Sequence, residues 1–240
     1  MRLDKLLSNM GIGSRKDVKM LLKKKQVTVN GTVVKDSSMK VDSDADDIKV
    51  KGEIITYQQY IYLMMNKAPG HVSATTDTRE KTVIDLLRED VLHFKPFPVG
   101  RLDKDTEGLL LLTNDGDLAH QLVSPKKNVG KTYYATIAGF VTDEDVTAFQ
   151  EGVVLEDGYK AKPGELRILQ SGDISEIEVT ITEGKFHQVK RMFEAVGKKV
   201  TYLKRLSMGD LKLDDTLKLG EYRELTDNEL AYCMSLKDTL

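Results

Sequence analysis

Hydrophobic positions change period along this chain, and each change marks an element. Leu3, Leu6 and Leu7 fall at helical spacing. Ser14 then stands where the cap of a second helix belongs, with Val18, Leu21 and Leu22 on its apolar face. The pattern shortens to a strand period at Val27-Thr28-Val29, breaks at Asn30-Gly31 and resumes at Thr32-Val33-Val34. Asn-Gly supplies the positive φ angles of a two-residue turn, so these residues predict a hairpin. Residues 36–53 carry Asp36, Asp42, Asp44, Asp46 and Asp47 and no aromatic, which predicts a domain edge followed by a linker. The boundary falls between Gly52 and Tyr57, giving domains 1–55 and 56–240.

In the second domain Ile61, Leu63 and Met65 alternate with Tyr62 and Met64 in a strand that ends in a turn at Asn66 to Gly70. A helix start is expected over Thr82–Leu87. The unbroken run Leu109-Leu110-Leu111-Leu112 reads as a buried strand, and Gly116-Asp117 opens a helix through Leu118, Ala119, Leu122 and Val123. Lys131, Tyr133 and Ala135 share one face of a further strand. A helix over Asp143–Gln150, a turn at Asp157-Gly158 and strands near Leu166–Ile168 and Ile177–Ile181 follow, with a structural role. Val189, Met192, Phe193 and Val196 form the apolar face of a last helix, with Gly197 at its C-terminal end. This mixture is α+β.

Composition narrows the classes. The 240 residues are 40% hydrophobic, enough for a core without staples, and no apolar run has the length of a membrane span. Arg2, Asp4 and Lys5 stand where a secretory signal needs apolar residues, so the expected location is the cytoplasm. The one cysteine, Cys233, excludes an internal disulfide and offers no metal cluster; a packed or free thiol is expected. A net charge of −2 conceals an uneven distribution. Residues 1–35 hold nine Lys or Arg against two acids, with Arg15, Lys16, Lys19 and Lys23 on the polar face of the second helix. Cations concentrated on one small unit suit phosphate contacts. A monomer is the default expectation.

The chemistry-bearing stretch is Val99 to Asp117, VGRLDKDTEGLLLLTNDGD. It sets Asp103 in a polar loop between Gly100 and Gly108, ahead of the leucine strand. On turn chemistry alone the residue is a turn former or cap that pairs with Arg101. Gly100 to Gly116, however, resembles the signature of the RNA pseudouridine synthases of the RsuA/RluA superfamily. Asn66 to Val72 and the following helix start resemble that family's first motif, Lys131-Thr132-Tyr133 its second, and Glu183 to Gly197, with His187-Gln188-Val189-Lys190-Arg191, its last. The resemblance implies a catalytic domain with a mixed, mainly antiparallel sheet flanked by helices. It assigns catalysis to Asp103, stacking on the target base to Tyr133, pairing with Asp103 to Lys190, and entry into the space left by the flipped nucleotide to Arg101. Lys131 and Arg191 are lesser candidates for pocket support and phosphate contact. No cofactor or metal is implied, and a lone His187 is expected to be packed or hydrogen-bonded.

Arg2-Leu3-Asp4-Lys5-Leu6-Leu7, Ser14-Arg15-Lys16 and Val27-Thr28-Val29-Asn30-Gly31 are similar to the S4 RNA-binding domain. Carried over, the RNA-facing residues are Arg2, Ser14, Arg15, Lys16, Lys19 and Lys23. An S4 unit together with Ser124-Pro125-Lys126 and the His187 to Phe193 run resembles the RsuA branch, which implies small-subunit ribosomal RNA, at uridine 516 of 16S rRNA, or an assembly intermediate as substrate. The alternatives are a large-subunit (23S) synthase, a non-catalytic S4-type ribosome-assembly factor, and a hydrolytic glycosidase using Asp103 with Asp105.

Overall fold

The computed structural model describes residues 1–238, which divide into two compact units: Met1–Ile61 with Leu87–Pro96, and Tyr62–Leu86 with Phe97 onward. In this division Leu87–Pro96 groups with the first unit.

In the first unit, helices α1 (Leu3–Asn9) and α2 (Arg15–Lys23) precede strands β1 (Val27–Val29) and β2 (Thr32–Val33). Ser14 caps α2 reciprocally with Asp17. Asn30 and Gly31 take φ of 49° and 76°, the turn their sequence predicts. The expected linker is instead part of the fold. Strands β3 (Ile48–Val50) and β4 (Glu53–Ile54) complete an antiparallel sheet in the order β2-β1-β3-β4. Ile48 and Val50 are buried with Leu3, Leu6, Leu22 and Val27. The acids that suggested a solvated stretch are turn formers. Asp46 accepts hydrogen bonds from the Asn30 side chain and the Asp42 N–H, while the Asp47 N–H donates to Asn30. Short α3 (Glu89–Leu92) also lies in this unit.

The second unit is built on one sheet of nine strands. They are β5 (Tyr62–Lys67), β6 (Phe97–Pro98), β7 (Glu107–Thr113), β8 (Lys131–Ala138), β9 (Glu165–Gln170), β10 (Ile174–Ile181), β11 (Lys199–Met208), β12 (Leu211–Lys212) and β13 (Tyr222–Glu224). The order is β13-β5-β7-β11-β8-β10-β9, with β6 beside β7 and β12 beside β11. Every pairing is antiparallel except β7 with β11, where Glu107 meets Lys204 and Gly108 meets Arg205. That seam is narrow: a Cβ on Gly108, at φ +101°, would collide with the Arg205 carbonyl oxygen and stand 2.7 Å from its backbone nitrogen.

Helices α4 (Gly116–Val123), α5 (Asp143–Glu151), α6 (Gln188–Ala195) and α7 (Asp227–Asp238) flank the sheet. All four leucines of β7 are fully buried, as an unbroken apolar run requires. Leu109 and Leu111 pack with Leu118, Leu122, Met208 and Cys233. Burial pushes the Cys233 thiol up to about 11, which makes it a packing residue rather than a nucleophile. Asp115 caps α4 through the Leu118 N–H and accepts from the Tyr62 hydroxyl and Lys237, so the end of the signature motif joins a strand and two helices. The helix start expected at Thr82–Leu87 is one 3-10 turn, Val83–Leu86, capped by Asp85 on Thr82. Beyond Gly197, where the pattern reading places no element, lie β11, the central strand, and α7. Among the described residues no helix is long and apolar enough to cross a membrane.

Candidate active site

Residues 99–106 form the loop between β6 and β7, and the backbone before it holds them from behind. Lys67, at the end of β5 and fully buried, donates to the carbonyls of Thr106 (2.8 Å), Ala68 (3.1 Å) and Lys104 (3.3 Å). Gly70 N–H donates to Lys104 O at 2.8 Å. Ser73 brackets Leu102, donating from Oγ to its carbonyl at 2.9 Å and accepting its N–H at 3.0 Å. Asp103 is thereby fixed by contacts on both neighbours. Burial pushes the Lys67 ammonium down to about 8, against the opposing pull of Asp105, Asp103 and Glu107.

The Asp103 carboxylate faces α6. Lys190 Nζ stands 3.2 Å from Asp103 Oδ2 and binds both oxygens of Asp105, at 2.7 and 2.9 Å. His187 Nε2 is 3.6 Å from Asp103 Oδ1. One ammonium therefore serves two carboxylates. Burial would lower the Lys190 pKa, but its hydrogen bonds to Asp105 and Asp103 outweigh that and raise it. Asp105 likewise ends below the usual carboxylate range despite burial, because Lys190 binds it. The start of α6 is set by His187 in the left-handed region (φ 51°) and by Gln188, whose amide donates to Glu183 while its oxygen accepts the Lys185 N–H at 2.8 Å. Glu183 also accepts the Tyr159 hydroxyl at 2.7 Å and the Lys162 N–H at 2.9 Å.

Tyr133 projects from the buried face of β8 that it shares with Lys131 and Ala135, as the alternation predicts. With Asp103, Thr106, Ile181, Val189 and Leu203 it lines a cleft whose wall also carries Arg101, Lys185, His187 and Gln188. A wider cleft of about 540 Å³ continues past Ser73 and Arg101 to Phe186, which is 69% exposed and stacks on His187 with ring centroids 3.8 Å apart. Arg101 is exposed, borders both clefts and has no side-chain partner among the described residues.

The structure thus brings Asp103, Arg101, Tyr133 and Lys190 to one place, with Lys131 on the strand beside them. Arg191 is elsewhere, held by Asp157 at 2.6 Å. In the other unit Arg15, Lys16, Lys19 and Lys23 are exposed and meet no carboxylate among the described residues. Arg2 forks onto Asp4 at 2.8 and 3.0 Å, and the Ser14 hydroxyl is engaged with Asp17 in capping α2. Three residues escape sequence reading: Lys67, passed over as part of a turn, Ser73 and Arg205. The signal for Lys67 is a cation closing the apolar strand Leu63-Met64-Met65. Arg205 sits in Val200 to Met208, whose alternation marks a strand. Among the described residues no group of three His, Cys, Asp or Glu could hold a metal ion.

Comparison with known proteins finds two families along the chain. Residues 1–48 match the S4 domain and residues 61–195 match the RNA pseudouridylate synthase family. The chain is 54% identical to "Uncharacterized RNA pseudouridine synthase YtzG" of Bacillus subtilis (strain 168), over 96% of this chain and 97% of that one. It is 40% identical to "Ribosomal small subunit pseudouridine synthase A" of Yersinia pestis (96% and 97% covered) and 37% identical to "Ribosomal large subunit pseudouridine synthase B" of B. subtilis (99% and 97%). A crystal structure of a pseudouridylate synthase superposes with a TM-score of 0.68 at 36% identity, covering 97% of this chain and 99% of that one. An S4 unit followed by this sheet, with relatives matched along nearly their whole length, places the chain in the RNA pseudouridine synthase family, in the group that includes the RsuA- and RluB-type enzymes.

Proposed function

We propose that this chain isomerises a uridine of ribosomal RNA, uridine 516 of the small-subunit RNA or its assembly intermediate, as a cytoplasmic monomer with Asp103 as the catalytic carboxylate. The observation that carries the assignment is the cleft that Asp103 and Tyr133 line together, with Lys190 3.2 Å from the Asp103 carboxylate. The reaction breaks the N1–C1′ bond and joins C1′ to C5; the proton on C5 is lost and N1 gains one, so no group from outside is retained. Asp103 could attack C1′, attack the uracil ring, or take the C2′ proton, and all three need an ionised carboxylate. Lys190, 3.2 Å away, aims the carboxylate. Tyr133 gives the extruded base a stacking face, Arg101 fills the gap left in the RNA, and Arg15, Lys16, Lys19 and Lys23 bind phosphates.

A small-subunit relative at 40% and a large-subunit relative at 37% both match nearly the whole chain, so both RNAs enter the test. The measurement is tritium release from RNA labelled at C5 of uridine, with wild type beside Asp103→Asn. Release near one equivalent per small-subunit transcript, abolished by Asp103→Asn, supports the proposal. Release from the large-subunit transcript alone reassigns the substrate. Binding without release from either would make the chain a binding factor, and free uracil as product would make it a glycosidase.

A further inference from the structure

Next to the Asp103 cleft, and sharing Arg101 and Tyr133 with it, lies a third cleft of about 310 Å³ for which the proposed chemistry has no use. Its wall is cationic: Arg101, Lys131, Lys162, Lys185 and Arg205 line it, against one acid, Glu183. That acid is spent on Tyr159, Gln188 and the Lys162 backbone. Lys185 lies over the Tyr159 ring at 3.3 Å, and Lys162 reaches the Asn128 side chain.

Two of these cations are out of water. Arg205 is 2% exposed; its Nε donates to Leu109 O at 2.8 Å, and its Nη2 is buried without a hydrogen-bond partner. Lys131 is 6% exposed and gives one hydrogen bond, to Val129 O at 3.0 Å. Burial and then the charge of Arg205 push its ammonium below the ordinary lysine range. Neither meets a carboxylate among the described residues. Each satisfies one backbone carbonyl, but burying two like charges without a counter-ion and leaving a guanidinium donor unused costs stability. An anion in this cleft would complete the charge balance.

We propose that this cleft takes a backbone phosphodiester of the substrate RNA, with Arg205 and Lys131 as its buried donors, next to the nucleotide whose base enters the Asp103 cleft. The assignment rests on the proposed RNA substrate. It follows from continuity: Arg101 and Tyr133 border both clefts, so the group one step along the strand from an inserted base arrives at the second. A guanidinium and an ammonium side by side suit a phosphate's several oxygens, and the fork of Arg205 is not replaceable by Lys.

The test uses the full-length protein as wild type, Lys131→Met, Arg205→Lys and Arg205→Met. Loss of one buried phosphate contact raises KM for the RNA about tenfold more than it lowers kcat. It also reduces the slope of log affinity against log salt by about one. Inorganic phosphate, exchanged for chloride at constant ionic strength, raises the Tm of wild type and not of the variants. If Arg205→Met does not fold, Lys131→Met and Arg205→Lys carry the test. A wild-type salt slope and KM in both of these overturn the proposal. A phosphate-dependent Tm with unchanged RNA affinity also overturns it, leaving a site for free phosphate. Tritium release by wild type judges the substrate reading separately: release with unaltered variants rejects the subsite alone.

Discussion

Lys67→Met separates the cost of burying an ammonium from the contacts it makes. In the folded chain the group titrates at about 8, against 10.5 for an ordinary lysine. Between these values the unfolded chain holds a proton that the folded chain has released, so unfolding takes up protons and stability rises with pH. A shift of 2.5 units, at about 1.36 kcal/mol each, makes the change about 3 kcal/mol, all of it between pH 8 and 10.5. Methionine cannot titrate, and it leaves the carbonyls of Ala68, Lys104 and Thr106 without their donor. The variant is therefore expected to be less stable at every pH, and the diagnostic is the difference curve. Urea unfolding of the catalytic unit, measured from pH 7 to 10.5, should give a wild-type minus variant difference that is flat below pH 8 and then climbs by about 3 kcal/mol. A flat difference throughout would refute the dominance of burial. A falling one would show that Asp105, Asp103 and Glu107 outweigh it, placing the folded pKa above the unfolded.

Gly108→Ala forces a Cβ onto the Arg205 backbone at a φ that alanine resists. Strain and overpacking together cost about 3–5 kcal/mol, read as a lower urea midpoint. Ser73→Ala removes both hydrogen bonds that hold Leu102. The expected result is a several-fold loss of kcat with KM little changed in the tritium-release assay, and a Tm lowered by a few degrees. Replacing Arg15 and Lys19 together by Gln should weaken RNA binding on any sequence and lower its salt slope by about two, measured by titration from low to moderate salt.

Elements whose causes are local were legible. Asn30-Gly31 needs only its own φ preferences to turn, Ser14 finds its capping partner three residues on, and Leu109 to Leu112 are buried whichever strands flank them. Asp103 was visible because its loop carries a recognisable string of residues, and Tyr133 because strand alternation puts it on the buried face with Lys131. What was not legible depends on partners far along the chain. Lys67 is a clamp only because carbonyls 37 and 39 residues later come to meet it. Arg205 is informative only because β11 lies between β7 and β8, a placement no local pattern specifies. The aspartates of 36–53 misled for the complementary reason. Their composition matches a solvated tether, and only their hydrogen bonds to Asn30 and to one another's backbone show a folded turn.

The parallel seam between β7 and β11 also sets a timetable for synthesis. The ribosome delivers β7 with its four leucines early, and β5 can cover one edge of it at once. β6 pairs with its Leu112–Thr113 end, but the strand that pairs with its Glu107–Gly108 end emerges about ninety residues later, with α7, which shields Leu109 and Leu111, later still. For that interval the nascent chain carries an apolar strand with part of one edge open, a feature prone to pair with another copy. Release of a chain that stops short of β11 would therefore yield a product whose first unit can fold while the rest aggregates. Since the clefts also need Leu203 and Arg205, the enzyme has no active site until that edge is closed.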